Sequence, residues 1–150
     1  KDNFFDVVTM WDVIEHLEDP ARAVNDVSQK LKTNGLLVIE TPAEDNIIRK
    51  LGWVLYKISM GKIALLQYFY YSVHRCYFSE KTITKMLRDL NMEIVSVSSE
   101  NTFPAKAKLK IRTYKLPFRD FIITALPFIF LLGNTIGIGN KIVILAKKRA

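Results

Sequence analysis

The sequence predicts an α/β domain built on a mostly parallel sheet, with its last strand running antiparallel to the others. Three observations carry this. Residues 5–10 form a short apolar-rich run of the kind found in strands covered on both faces. A helical segment and a second apolar run follow at once, which makes a strand–helix–strand unit and hence a parallel pair with a right-handed crossover. The chain closes on a further apolar run, Ile142 to Ala146, reached through a tight turn at Gly139-Asn140 after a long connection. That arrangement suits an antiparallel strand slotted between two others.

The elements follow in order. Phe5 to Met10 is the first strand. Residues 20–32 are expected to be helical: Asp19 and Pro20 make a good N-cap and first-turn pair, and Ala23, Val24, Val27 and Leu31 recur near helical spacing. Asn34-Gly35 is expected to end this helix as a left-handed C-cap. Leu36 to Thr41 is the second strand, closed by Pro42. Residues 44–74 are set apart as an apolar, aromatic insertion of one or two helices, broken by Gly52, Ser59 and Gly61. Ser79 caps the next helix, whose buried stripe is expected to be Thr82, Ile83, Met86, Leu87 and Leu90, with Asn91 at its end. Met92 to Ser98 alternates as a strand does. Residues 103–138 form a second insertion-like stretch. Its run from Phe121 to Leu132 falls short of the roughly 20 residues a spanning helix needs and contains Pro127, so it reads as a buried or interfacial helix. With no linker or repeat in view, residues 1–150 are expected to form one partial domain.

Composition narrows the function classes. Hydrophobic residues are 49% and charged residues 25% of the chain, which suits a packed core rather than disorder. The net charge of +7 is compatible with a solvated basic face or with an anionic membrane or nucleic-acid surface. The densest basic groups are Lys106 to Lys115 and Lys147 to Arg149. A single cysteine, Cys76, excludes an internal disulfide and a multi-thiolate metal site, and it reads as a small buried hydrophobe. A cytoplasmic location, with membrane association as an addition, is the expectation.

The stretch Phe5-Asp6-Val7-Val8-Thr9-Met10-Trp11-Asp12-Val13-Ile14-Glu15-His16-Leu17-Glu18-Asp19-Pro20 resembles the fourth strand and following loop of class I S-adenosylmethionine-dependent methyltransferases. It is most similar to the branch that includes the ubiquinone-biosynthesis O-methyltransferases. Further stretches resemble later parts of that family in the same order. Leu31 to Pro42 resembles the glycine turn and fifth strand, with Thr33-Asn34-Gly35 where the family has proline and two glycines. His74-Arg75-Cys76-Tyr77-Phe78-Ser79 with Met92 to Val95 resembles the late helix and sixth strand. Gly139 to Lys147 resembles the seventh. The resemblance covers about two thirds of the chain. It implies a doubly wound, Rossmann-like sheet of which this chain holds strands four to seven, the last antiparallel, with apolar helical insertions. It implies S-adenosylmethionine as cofactor. All six glycines lie at or after Gly35 and no Gly-x-Gly-x-Gly loop occurs. The glycine-rich cofactor loop, and the acidic residue that would hold the ribose hydroxyls, are therefore expected in about a hundred residues preceding Lys1, and the chain alone is expected to be inactive.

Candidate site residues follow. Met10, Trp11 and Asp12 close the first strand, where open α/β sheets bind ligands, and are the expected cofactor contacts; the competing role for Trp11 is packing under a helix. Asp12, Glu15 and His16 have helical spacing and would share one face, as a site for Mg²⁺ or Zn²⁺ or as a structural loop. His16 is alternatively a general base, and His74 a second catalytic candidate facing the transferred methyl group. Thr41, Pro42, Tyr70 and Tyr71 are expected to line the substrate. The sulfonium methyl is already activated, so positioning and at most one base suffice, in keeping with the absence of a nucleophile motif. The apolar insertions suggest a small-molecule or lipid-like acceptor and peripheral membrane contact; no nucleic-acid partner is expected. Two other classes compete: a non-catalytic, methyltransferase-like scaffold that meets a membrane surface or partner protein, and an oxidoreductase, which would need an equally absent dinucleotide loop.

Overall fold

The computed structural model describes residues 2–61, 73–100 and 139–149. The described elements are β1 (Phe5–Trp11), a short 3-10 turn (Ile14–His16), α1 (Pro20–Lys30), β2 (Leu31–Pro42), α2 (Ile47–Ile58), α3 (Glu80–Asp89), β3 (Met92–Glu100) and β4 (Lys141–Lys148). The four strands form one sheet in the order β1-β2-β4-β3. β1 and β2 are parallel, with Val7 opposite Leu36 and Trp11 opposite Glu40. β4 runs antiparallel to β2, pairing Leu36 with Lys147 and Pro42 with Lys141. This is the mixed α/β sheet expected from the sequence, with the final strand inserted antiparallel.

Local chemistry explains the elements. The Asp19 side chain accepts a hydrogen bond from the Arg22 N–H at 2.9 Å, and Pro20 occupies the first turn. The helix ends earlier than expected. Leu31, in extended conformation, caps it by donating its N–H to Val27. Asn34 is left-handed, with φ of 66°, but it serves the strand instead. Phe5 faces Leu31 while Val7 faces Leu36, so Lys32 to Gly35 bulge out of the ladder. A Cβ on Gly35 would stand 2.8 Å from the Lys32 carbonyl, so the bulge requires glycine there. At α3 the Ser79 hydroxyl accepts from the Thr82 N–H at 3.1 Å and the Thr82 hydroxyl accepts from the Ser79 N–H at 3.0 Å. Thr82 is thereby exposed and capping rather than part of the buried stripe, which Ile83, Thr84 and Leu87 supply. Asn91, with φ of 61°, follows the helix.

Val24, Ile83, Leu87, Leu37, Ile39 and Ile144 meet in one buried cluster, so α1 and α3 pack with the central strands β2 and β4. β2 alternates inward at Leu37, Ile39 and Thr41. β1 departs from the expectation of a strand covered on both faces. Among the described residues it is an edge strand, and Phe5, Val7 and Trp11 are exposed while Met10 is buried.

The chain divides into two compact units, one of residues 1–45, 72–98 and 141–150 and the other of residues 46–71 and 99–140. The first holds most of the sheet, together with α1 and α3. The second contains α2. The second insertion, 103–138, lies outside the described residues, as do Tyr70 and Tyr71. Among the described residues no helix is long and apolar enough to cross a membrane.

Candidate functional site

The first unit gathers its chemistry where β1 ends. β1 delivers Trp11 to the carboxyl end of the sheet with its side chain 54% exposed, so the indole is not packed beneath a helix. Met10 points the other way. Its side chain belongs to the core, so only its backbone is left to meet a ligand. Asp12 adopts the left-handed region, with φ of 50°, and donates its N–H to the Glu40 carbonyl at 3.0 Å.

That reversal separates Asp12 from Glu15 and His16. The helical turn covers only Ile14 to His16, so the shared face expected for Asp12, Glu15 and His16 does not form. Asp12 instead pairs with Lys141, whose Nζ lies 2.6 Å from the Asp12 carboxylate and also contacts Glu40. Partial burial of the Lys141 ammonium opposes its charge, but the hydrogen bonds from Asp12 and Glu40 outweigh it and raise its pKa.

Glu15 turns inward. It is 0% exposed, and its Oε2 accepts a hydrogen bond from the Thr41 hydroxyl at 3.0 Å. Thr41 is therefore an interior partner of Glu15 rather than a wall for substrate, because the alternation of β2 aims it into the core. Pro42, next to it, is half-buried. Among the described residues no hydrogen-bond partner reaches Glu15 Oε1. Burial drives the Glu15 pKa upward, against the opposing hydrogen bonds to its carboxylate.

Three backbone contacts draw the segment after residue 72 onto this turn. The Arg75 and Cys76 N–H groups donate to the Glu15 carbonyl at 2.8 and 3.2 Å, and His16 Nδ1 donates to the Val73 carbonyl at 3.1 Å. A carbonyl can only accept, so His16 Nδ1 carries a proton and, in the neutral ring, Nε2 is left as a bare base. The same contacts bring His74 edge-on to His16, with ring centroids 4.7 Å apart, and Tyr77 lies 5.4 Å from His74. One ligating atom each from Glu15, His16 and His74 fall within 4.8 Å of one another. Sequence reasoning does not single out Lys141, visible only once β4 pairs with β2, and it places Thr41 on the substrate wall and not as a buried donor. Cys76 is half-buried, and burial first, then the Glu15 charge, pushes its thiol pKa up.

A family model described as a methyltransferase domain matches residues 1–97. No curated protein matches the sequence. A SAM-dependent methyltransferase from Thermotoga maritima superposes with a TM-score of 0.56 at 18% identity, over 99% of this chain and 58% of its own. One from Archaeoglobus fulgidus gives 0.54 at 22% identity, over 98% of this chain and 61% of its own. The [4+2]-cyclase SpnF gives 0.57 at 13% identity, over 99% of this chain and 51% of its own. Likeness at such identities establishes a Rossmann-like fold. The chain spans about half to three fifths of the length of these structures.

Proposed function

Because the chain belongs to the methyltransferase-domain family, whose model matches residues 1–97, we propose that it carries the acceptor side of a methyl transfer from S-adenosylmethionine to a hydrophobic, lipid-like acceptor. Within the family, the Glu15-His16 element and the order of the later motifs support kinship with the ubiquinone-biosynthesis O-methyltransferase branch. The observation that carries the reading is the junction of Glu15, His16 and His74 just after the carboxyl end of β1, in the part of an open α/β sheet where ligands bind.

S-adenosylmethionine supplies a methyl group already activated on a sulfonium. Trp11 has a free indole to lie against it, whereas the Asp12 carboxylate is held by Lys141, so the Asp12 backbone is the better contact. His16 is the base. Its Nδ1–H is anchored on Val73, and its Nε2 would take the proton of an acceptor hydroxyl while the acceptor oxygen gains the methyl group and the carbon–sulfur bond breaks, releasing the neutral thioether. Glu15, itself buried, supports at short range the charged imidazolium that results. Positioning supplies the rest. All six glycines lie at or after Gly35, so this chain alone is expected to bind the cofactor weakly.

The test uses intact protein, radiolabelled S-adenosylmethionine and a lipid extract. Label should enter the organic phase, and His16→Gln should lower the rate by about 10²–10⁴-fold. Transfer only to small polar acceptors, or an unchanged His16→Gln rate, sinks the reading. The unpartnered Glu15 Oε1 favours one second reading, a Zn²⁺ held by Glu15, His16 and His74. A chelator that abolishes transfer, with zinc restoring it, would select that reading over the base. A scaffold role would appear as no transfer and no cofactor binding by the intact protein.

A further inference from the structure

The basic excess of this chain is not spread over it. Residues 46–71 carry Arg49, Lys50, Lys57 and Lys62 with no acidic residue, and residues 99–140 carry six more basic residues against Glu100 and Asp120. Ten basic against two acidic residues give the second unit +8. The whole chain stands at +7, so the site-bearing unit stands at −1. The second unit is therefore a polycation attached to a nearly neutral domain.

The described part of that unit also exposes large apolar side chains. Trp53 is 50%, Ile58 75% and Met60 84% exposed, with Val54 and Tyr56 also open. On α2, Lys50, Trp53, Val54, Lys57 and Ile58 are spaced by three and four, so they share one face. The Lys57 ammonium sits 3.8 Å from the centroid of the Trp53 ring. The helix then ends at two left-handed residues, Met60 and Gly61, with the Gly61 N–H on the Tyr56 carbonyl at 2.8 Å. A nucleic-acid surface would favour basic and polar groups without protruding aliphatics. An acidic protein groove would not need so large a charge excess. Lysines flanking Trp53, Val54 and Ile58 on one helix face match the depth profile of a bilayer interface, with ammonium groups at the phosphates and apolar groups below them.

We propose that the exposed face of α2, with Lys50 and Lys57 beside Trp53, Val54 and Ile58, docks in the interface of an anionic lipid bilayer. The inference rests on charge and exposure and not on the methyl-transfer reading, so each can fail alone.

The test is sedimentation of the full chain with phosphatidylcholine vesicles, with and without phosphatidylglycerol, in the absence of cofactor. Binding should require the anionic lipid and weaken with salt, as the screening length falls from about 10 Å at 0.1 M to about 3 Å at 1 M. Each lysine near the surface is worth about fivefold, so Lys50→Gln with Lys57→Gln should weaken partitioning roughly twenty-five-fold. Both are exposed, and an unchanged thermal midpoint would show that the fold is intact. Trp53→Ser should weaken binding in low and high salt alike. Equal binding to neutral vesicles, no binding, or full binding by the double variant overturns the proposal. So does capture by an RNA oligomer with none by vesicles.

Discussion

Glu15 offers the sharpest test of how this site is held. Its side chain is fully buried, with the Thr41 hydroxyl on Oε2 and no partner among the described residues for Oε1. Burial raises its pKa above the ordinary 4.5. The sign follows from linkage. The folded state binds this proton more tightly than the unfolded chain, so the carboxyl costs nothing below its unfolded pKa. The cost grows as pH rises through 4.5 toward the raised folded value, then stays constant. Glu15→Gln removes the titration and keeps an acceptor for Thr41. It should therefore be as stable as the parent or more so at neutral pH, and the advantage should vanish in acid. Thr41→Val removes the donor and leaves a buried carboxyl without its described partner, a cost of about 1–3 kcal/mol. In the Glu15→Gln background the same change breaks only a neutral bond, about 1 kcal/mol. Urea unfolding of both single variants and the double, over a pH series, reads these terms. A coupling below about 0.5 kcal/mol would mean the two side chains act independently and the Glu15–Thr41 contact is not a stabilising one. A stability difference between Glu15→Gln and parent that does not change with pH would refute the raised pKa.

Other outcomes follow from the same geometry. Lys141→Met should cost about 1–3 kcal/mol, between the values for exposed and buried ion pairs, because Glu40 and Asp12 lose their shared cation; amide exchange at residues 12–16 should quicken with it. The raised Lys141 pKa gives stability that is complete below 10.5 and is lost as pH rises through the folded value, so the stability gap between the parent and Lys141→Met should shrink in alkali, and a gap independent of pH would contradict the pair. Cys76 should react with iodoacetamide more slowly than an exposed cysteine at neutral pH, because its raised pKa leaves less thiolate; labelling at the rate of a free thiol would contradict its placement against Glu15.

Much of the fold was legible in the sequence because it depends on local signals. The Asp19-Pro20 start of α1 and the Ser79 start of α3 are satisfied within a few residues of themselves. The apolar run Ile142 to Ala146 announces β4 as a strand, and the pairing decides that Ile142, Ile144 and Ala146 face inward. The misses share a cause. Asn34-Gly35 is a left-handed signal that suits a helix cap as well as a bulge, and the strand pairing uses it for a bulge. Thr82 sits at a position that looks buried by periodicity, but the cap needs its hydroxyl.

The candidate site divides the same way. Glu15 and His16 stand side by side in the sequence, and their chemistry could be named from it. Which partner each would take could not. The left-handed turn at Asp12 removed that carboxylate from the group, and a lysine 129 residues away claimed it. Hydrogen bonds from Arg75 and Cys76 to the Glu15 carbonyl brought His74 beside His16. Composition determined the +7 charge, and only the division of the chain assigned it to one unit. Caps, periods and net charge are sums over neighbours along the chain, so the sequence alone determines them. A site is a set of distances between segments, and those exist only after strands pair and a buried carboxyl has found the few groups that can offset its loss of water.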